Sequence, residues 1–187
     1  VKRDIDLLVS QIERCSEILK KLTLNPTVED AFIDQDLTIV DYVSDIIKSL
    51  KETSKKEFII NLDQYSNSLN ITKSIEVVYG LRNFIGNANK FSKNKVFINI
   101  KSDNDITEIT IEDDGEGYPN DVLRKIGEPY VKSYKSSIKS KSGLGLGIFI
   151  GKTLLEKNYA NILCKNSQKR GGAEVNIRWK NKDLLNL

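Results

Sequence analysis

The stretch Lys141-Ser-Gly-Leu-Gly-Leu-Gly-Ile-Phe-Ile-Gly151 constrains this chain more than any other. Gly143, Gly145 and Gly147 alternate with leucines, and Leu144, Ile148, Gly151 and Leu155 then fall on one helical face. Glycines at the mouth of a helix bring backbone N–H groups close to an anion, and the helix dipole favours negative charge there. The stretch therefore reads either as a phosphate cradle or as a tight turn before a buried helix. What precedes it in the chain must decide.

A chain of 187 residues, 39% of them hydrophobic, can build one domain and a small appendage around an ordinary core. No apolar run approaches a membrane span, and no signal-peptide pattern opens the chain. The chain begins with valine and has no methionine, so it reads as a piece of something longer. A formal net charge of +3 is too small to argue for direct nucleic-acid binding. Two distant cysteines suit a reducing compartment without a disulfide framework. There is no histidine, which limits the chemistry this chain can do alone.

Ile5, Leu8, Ile12, Cys15, Leu19 and Leu22 step by three and four, a coiled-coil-like seam ended at Asn25-Pro26. One helix cannot bury such a stripe alone, so a partner helix, a second subunit or its own domain must cover it. Cys15 lies on the seam, either as core filler or as a thiol facing its twin. Beyond Pro26, Leu37–Val40 predicts a short strand, Tyr42, Ile46, Ile47 and Leu50 an amphipathic helix, Glu57–Leu62 a second strand, and Tyr65–Asn70 a polar loop.

The helix predicted over about Thr72–Ser92 has two stripes. Val77, Leu81, Phe84, Ala88 and Phe91 should face the sheet, while Asn83, Asn87 and Lys90 converge on another side. Asparagine is a poor mid-helix residue, so two of them a turn apart with a lysine suggest a site for a metal-bound phosphate; a solvated polar face is the alternative. Val96–Ile100 and Ile109–Asp113 alternate as the strands of a hairpin, which turns Asp113 inward with the apolar residues. Asp-x-Gly-x-Gly across 113–117 then makes a turn. Residues 118–142 form a long Lys/Ser-rich connection with a short helical possibility at Val122–Ile126. That connection is either a lid carrying Lys132, Lys135, Lys139 and Lys141 to phosphates or a solvated charge run. The glycine-led helix runs to about Asn158, and strands at Ile162–Cys164 and Ala173–Trp179 flank a Gly171-Gly172 turn.

In this order, an Asn-x-x-x-Asn-Ala helix, a strand ending Asp-x-Gly-x-Gly, a lid and a Gly-x-Gly-x-Gly helix resemble the histidine-kinase/Hsp90/gyrase/MutL ATP-binding superfamily over about Pro26–Trp179. Ile126-Gly-Glu-Pro-Tyr-Val131, Gly143–Ile150, Lys152-Thr-Leu-Leu-Glu156, Gly171-Gly-Ala and Arg178-Trp179 further resemble the RegB/PrrB/ActS redox-responsive sensor kinases. The resemblance implies an α+β, two-layer sandwich (the Bergerat ATP-binding fold), with a mixed sheet on one side and helices on the other. The N-terminal helix precedes it. Residues 1–25 would be the end of the dimerisation and phosphotransfer helices, and 26–187 the catalytic domain.

The resemblance also implies the cofactors ATP and Mg²⁺ and assigns the residues. Asn87 would ligate the metal, Asn83 support it, and Lys90 meet phosphate charge, the three forming the catalytic set. Asp113 would accept the adenine amino group, and Phe91 would lie against the ring with Gly115 and Gly117 giving it room. Lys132, Gly143, Leu144, Gly145, Leu146 and Gly147 would close on the nucleotide. ATP-hydrolysing members of the superfamily carry a glutamate where Asn83 stands, so an amide there favours phosphoryl transfer to a protein over hydrolysis. The acceptor histidine would lie upstream of this chain. Implied partners are a second subunit through the dimerisation helices and a response regulator expected to bind DNA. Upstream segments would anchor the whole in a bacterial inner membrane, this portion being cytoplasmic. Gln11–Leu19 resembles the segment holding the redox cysteine of RegB-type kinases, making Cys15 a candidate switch. A binding module without transfer is the alternative. A dinucleotide-binding dehydrogenase is excluded because the glycines follow a long connection rather than a strand.

Overall fold

The computed structural model describes residues 37–63, 70–71, 74–131 and 145–185. The expected N-terminal helix with Cys15, the boundary near Pro26, and Lys132, Gly143 and Leu144 lie outside the described residues.

The expected strand over Leu37–Val40 is shorter than its β-branched run suggests. Only β1 (Leu37–Thr38) pairs, antiparallel with β3 (Asn70–Ile71), and α1 (Ile39–Lys51) starts at once. A capping box at Thr38 overrides the local strand preference. Its Oγ1 accepts from Asp41 N at 3.2 Å, and Thr38 N donates to Asp41 Oδ2 at 2.8 Å. The predicted amphipathic helix follows, burying Ile39, Tyr42, Val43, Ile46 and Ile47.

The main sheet has the order β2 (Glu57–Leu62), β4 (Lys95–Ser102), β5 (Ile106–Asp113), β7 (Ala173–Lys180), β6 (Asn161–Asn166). The β2–β4 pair is parallel and the others antiparallel, so the sheet is mixed as expected. The parallel pair needs a crossover, and α2 (Ile75–Phe91) supplies it. Strand alternation puts Val96, Ile98, Ile100, Ile109, Ile111, Val175 and Ile177 on the face that the helices cover, all nearly inaccessible. Each such aliphatic side chain contributes about 1.5–3 kcal/mol by leaving water.

On α2, Val77, Leu81, Phe84 and Ala88 are buried as the periodicity predicts, but Phe91 is 37% exposed and does not join them. The Gly115 turn after β5, rather than a strand, lies against the backbone of this last helical residue, so no sheet layer covers the ring. The glycine-led helix, α4 (Gly147–Lys157), crosses α2 where both lack side chains. A Cβ on Gly80 would stand 2.5 Å from Leu155 Cδ2, and one on Gly151 3.0 Å from Asn83 Cβ and Phe84 Cε2. That close crossing sets the mouth of α4 beside the polar stripe of α2. The remaining helices among the described residues are short: α3 (Asn120–Leu123) and α5 (Asn181–Leu184). No helix among the described residues is long and apolar enough to cross a membrane.

Candidate functional site

Asp113 ends β5 with only 2% of its surface exposed, the inward carboxylate expected from its parity. Two main-chain groups hold it, and both donate to the same oxygen: Gly115 N at 2.8 Å and Ala173 N at 3.2 Å from Oδ1. Burial raises its pKa above the ordinary carboxylate value, and the two N–H donors oppose that rise. Glycines allow the close packing around it. A Cβ on Gly115 would stand 2.7 Å from Oδ1 and 2.5 Å from the Phe91 carbonyl oxygen, and one on Gly172 would overlap the Asp113 main chain. The space that Gly115 leaves is thus bounded by the end of α2 and by Asp113 itself.

Asn83, Asn87 and Lys90 share one side of α2. Asn83 Nδ2 donates back to Tyr79 O at 2.8 Å, which leaves its carbonyl oxygen toward α4; a Cβ on Gly147 would stand 3.6 Å from that Oδ1. Asn87 is half-buried, and its amide makes no hydrogen bond to another described residue. Lys90 is exposed, with Nζ 5.3 Å from the Phe91 ring centroid.

The mouth of α4 differs from those of the other two long helices among the described residues. Thr38 caps α1, and Ser74 caps α2 by accepting from Val77 N at 3.3 Å. α4 opens on Leu146–Gly147 with no side-chain cap, so its first backbone donors are left for something other than its own side chains. Gly145, with φ of 71°, folds against the Tyr130–Val131 backbone, so residues 131 and 145 lie side by side. Gly127 (φ 93°) seats the stem of Lys152, whose Cδ would stand 2.7 Å from a Cβ there.

Several contacts of this site are not visible in the sequence motifs. The β6–β7 turn supplies Gly172 and Ala173 to Asp113, and Asn166 clamps the turn after β5. Its Oδ1 accepts from Tyr118 N at 2.6 Å and its Nδ2 donates to Tyr118 O at 3.0 Å. Tyr118 itself is buried, and its hydroxyl pKa is pushed well up by that burial, with Cys164 and Asp113 adding to the rise. Cys164 is half-buried, its thiol pushed up to about 11 mainly by desolvation, which leaves it a poor nucleophile. The Gly171-Gly172 pair is visible in sequence as a turn. That the second glycine must admit the carboxylate of the distant Asp113 is not.

Known proteins resemble this arrangement. A family model described as histidine kinase-, DNA gyrase B- and HSP90-like ATPase matches residues 72–183. The sensor histidine kinase RegB of Cereibacter sphaeroides is 38% identical over 125 aligned residues, covering 58% of this chain and 27% of RegB. An NtrY-like putative sensor histidine kinase of Rickettsia bellii is 25% identical over 147 residues, covering 78% of this chain and 23% of that protein. This chain therefore spans about a quarter of the length of these relatives. Among solved structures, the mycobacterial sensor histidine kinase MprB superposes with a TM-score of 0.64 at 18% identity, covering 77% of this chain and 96% of that one. The catalytic domain of histidine kinase ThkA does so at 0.63 and 16%, covering 77% and 95%; at such identities these two likenesses speak to the fold. Both resemblances expected from the motifs, to the superfamily and to RegB-type kinases, are thus found.

Proposed function

This chain belongs to the histidine kinase-, DNA gyrase B- and HSP90-like ATPase family, and we propose that it binds Mg-ATP and passes the γ-phosphoryl group to a histidine upstream of it. The domain is RegB-like. The observation that carries the reading is Asp113, a buried carboxylate at a strand end with both protein donors on Oδ1. Oδ2 is then the oxygen to accept from the adenine 6-amino group, a polar edge met by a single fixed acceptor.

The phosphates would run from there to the uncapped mouth of α4, whose backbone donors suit anionic oxygens. Asn87 offers a hard amide oxygen for Mg²⁺, which commonly takes one or two protein ligands alongside phosphates and waters. When bound, Mg²⁺ supplies neutralisation of the phosphate charge. Lys90 adds a cation on the same side. Asn83 presents a carbonyl oxygen with no useful basicity, so the site orients and holds the nucleotide without activating water. Lys132, Gly143 and Leu144 complete the proposal as lid residues, and Phe91 as the edge against the ring.

In the whole protein we place a dimer formed through helices ahead of residue 25, membrane anchoring by upstream segments, and a response regulator as the next phosphoryl acceptor. The names of the relatives as sensor kinases support that reading. Cys15 is proposed as its redox switch, through an intersubunit disulfide or a sulfenic acid; a covalent dimer on non-reducing gels that persists in Cys15→Ser would rule out the disulfide form of that role.

Titration calorimetry with Mg²⁺ and a non-hydrolysable ATP analogue tests the site. Asn87→Ala is expected to weaken Mg-dependent binding at least about tenfold, while changing metal-free nucleotide binding little. Unchanged Mg-dependent affinity would refute the metal assignment.

A further inference from the structure

Ser167 opens the β6–β7 turn and is buried, and its hydroxyl is used twice. Oγ donates to Glu112 Oε1 at 2.6 Å and accepts from Arg170 N at 3.1 Å. Its main chain closes the same turn, with Ser167 N donating to Gly172 O at 2.8 Å and Gly171 N to Ser167 O at 3.0 Å. Glu112 immediately precedes Asp113, so strand alternation sends its side chain to the opposite face of the sheet. There it is buried, with Asn99 Nδ2 at 3.5 Å from Oε2. The Arg170 guanidinium stacks 3.7 Å from the ring centroid of Phe97, which is the cross-strand partner of Glu112. The turn fastened in this way delivers Gly172 and Ala173 to the Asp113 carboxylate on the other face.

The two donors to Asp113 are not alike. Gly115 N is two residues away and follows from the turn after β5. Ala173 N comes from a different hairpin and reaches Oδ1 only if that hairpin is held in register. With a single local donor, the carboxylate is free to turn about its last torsion and exchange the oxygen it presents.

We propose that the Glu112–Ser167 bond, with Arg170 stacked on Phe97, is a positioning device that sets the adenine selectivity of Asp113 from the opposite face of the sheet. The inference rests on the ATP reading above. None of these four residues touches nucleotide in it; they act through Gly172 and Ala173.

The test compares Mg-ATP with the Mg complex of purine riboside triphosphate, which lacks the 6-amino group, by calorimetry on the full chain. Ser167→Ala is expected to lower ATP affinity about threefold to tenfold, the worth of one hydrogen bond, and to leave the purine analogue within about twofold. Glu112→Gln keeps the shape and an acceptor oxygen and is expected to retain most of the discrimination. Amide exchange gives an independent readout: Ser167→Ala should speed exchange at Ala173 N–H and leave Gly115 N–H protected. Equal losses for both nucleotides, no loss at all, or unchanged exchange at Ala173 would overturn the inference while leaving ATP binding intact. A parent chain that binds ATP no better than the purine analogue would sink the ATP reading, and this inference with it. Should Ser167→Ala fail to fold, Glu112→Leu, which removes the acceptor at similar bulk, decides in its place: a loss confined to ATP would support the proposal, and equal losses for the two nucleotides or no loss would overturn it.

Discussion

Asp113 separates what binds from what stabilises. Its carboxyl pKa is raised by burial, against the pull of two main-chain donors, so the folded chain holds that proton more tightly than the unfolded one. A carboxyl raised in this way costs stability as pH rises through its folded value, and the cost disappears below the ordinary carboxylate range. Asn in its place keeps an oxygen for Gly115 N and Ala173 N but presents an amide N–H to the adenine amino group. Asp113→Asn is therefore expected to abolish ATP binding while being at least as stable as the parent near neutral pH. Urea unfolding of both chains from about pH 7 to about pH 4 checks the sign: the parent should gain on the variant as pH falls. A parent that loses ground over that window contradicts the burial argument. At Gly172 stability and binding move together. A Cβ there would run into the Asp113 main chain, which cannot yield as a side-chain tip can. Gly172→Ala should cost about 1–3 kcal/mol in the same unfolding assay and weaken ATP in parallel; full stability would show that the turn can shift.

At the scale of the element, α2 carries two glycines whose replacement by alanine should have opposite signs. Gly86 has open space where a Cβ would go, so Gly86→Ala should stabilise by about 0.5–1 kcal/mol through helix propensity alone. Gly80 meets Leu155, which is fully buried, so Gly80→Ala should destabilise by about 1–3 kcal/mol and push α4 away from Asn83. Thermal melts of the two variants side by side give the contrast, and stabilisation by both would mean that the crossing is loose. Sequence alone rates these glycines alike, and this marks the limit of what it made legible. Strands β4, β5 and β7 and helices α1 and α2 follow from periodicity, because one face of each is buried against one layer. Val40 in a helix does not, because a cap two residues earlier outweighs its local preference. Phe91 at the surface does not, because nothing in a 3.6-residue repeat says where the sheet beneath it ends. In the site, the motifs on α2, β5 and α4 were visible as local patterns. Asn166 and Ser167 were not, and Gly172 and Ala173 showed only as a turn, since the contacts of Asn166 to Tyr118, Ser167 to Glu112 and Ala173 to Asp113 form only when distant hairpins meet.

For the molecule as a whole, the described unit gathers the groups proposed to hold a nucleotide, and the chain has no histidine to receive a phosphoryl group. One turn before Asn87 stands the Asn83 amide, which has no useful basicity to draw a proton from water. With γ-labelled ATP and Mg²⁺, the chain alone is therefore expected to show hydrolysis near background and to acquire no acid-labile label. Adding a separate helical fragment that carries the acceptor histidine should transfer label to that fragment, in a form lost in acid and kept in base. Because the two pieces are not joined, transfer is bimolecular. Its rate should rise in proportion to fragment concentration across the micromolar range, well below the roughly millimolar effective concentration that a short tether provides. Asn87→Ala should stop transfer, and Asn83→Ala should slow it without releasing free phosphate. Rapid hydrolysis by the unaided chain would show that water is activated by a group other than Asn83. Tight ATP binding with no label on the histidine fragment at any concentration would leave this domain a nucleotide-binding module rather than a kinase.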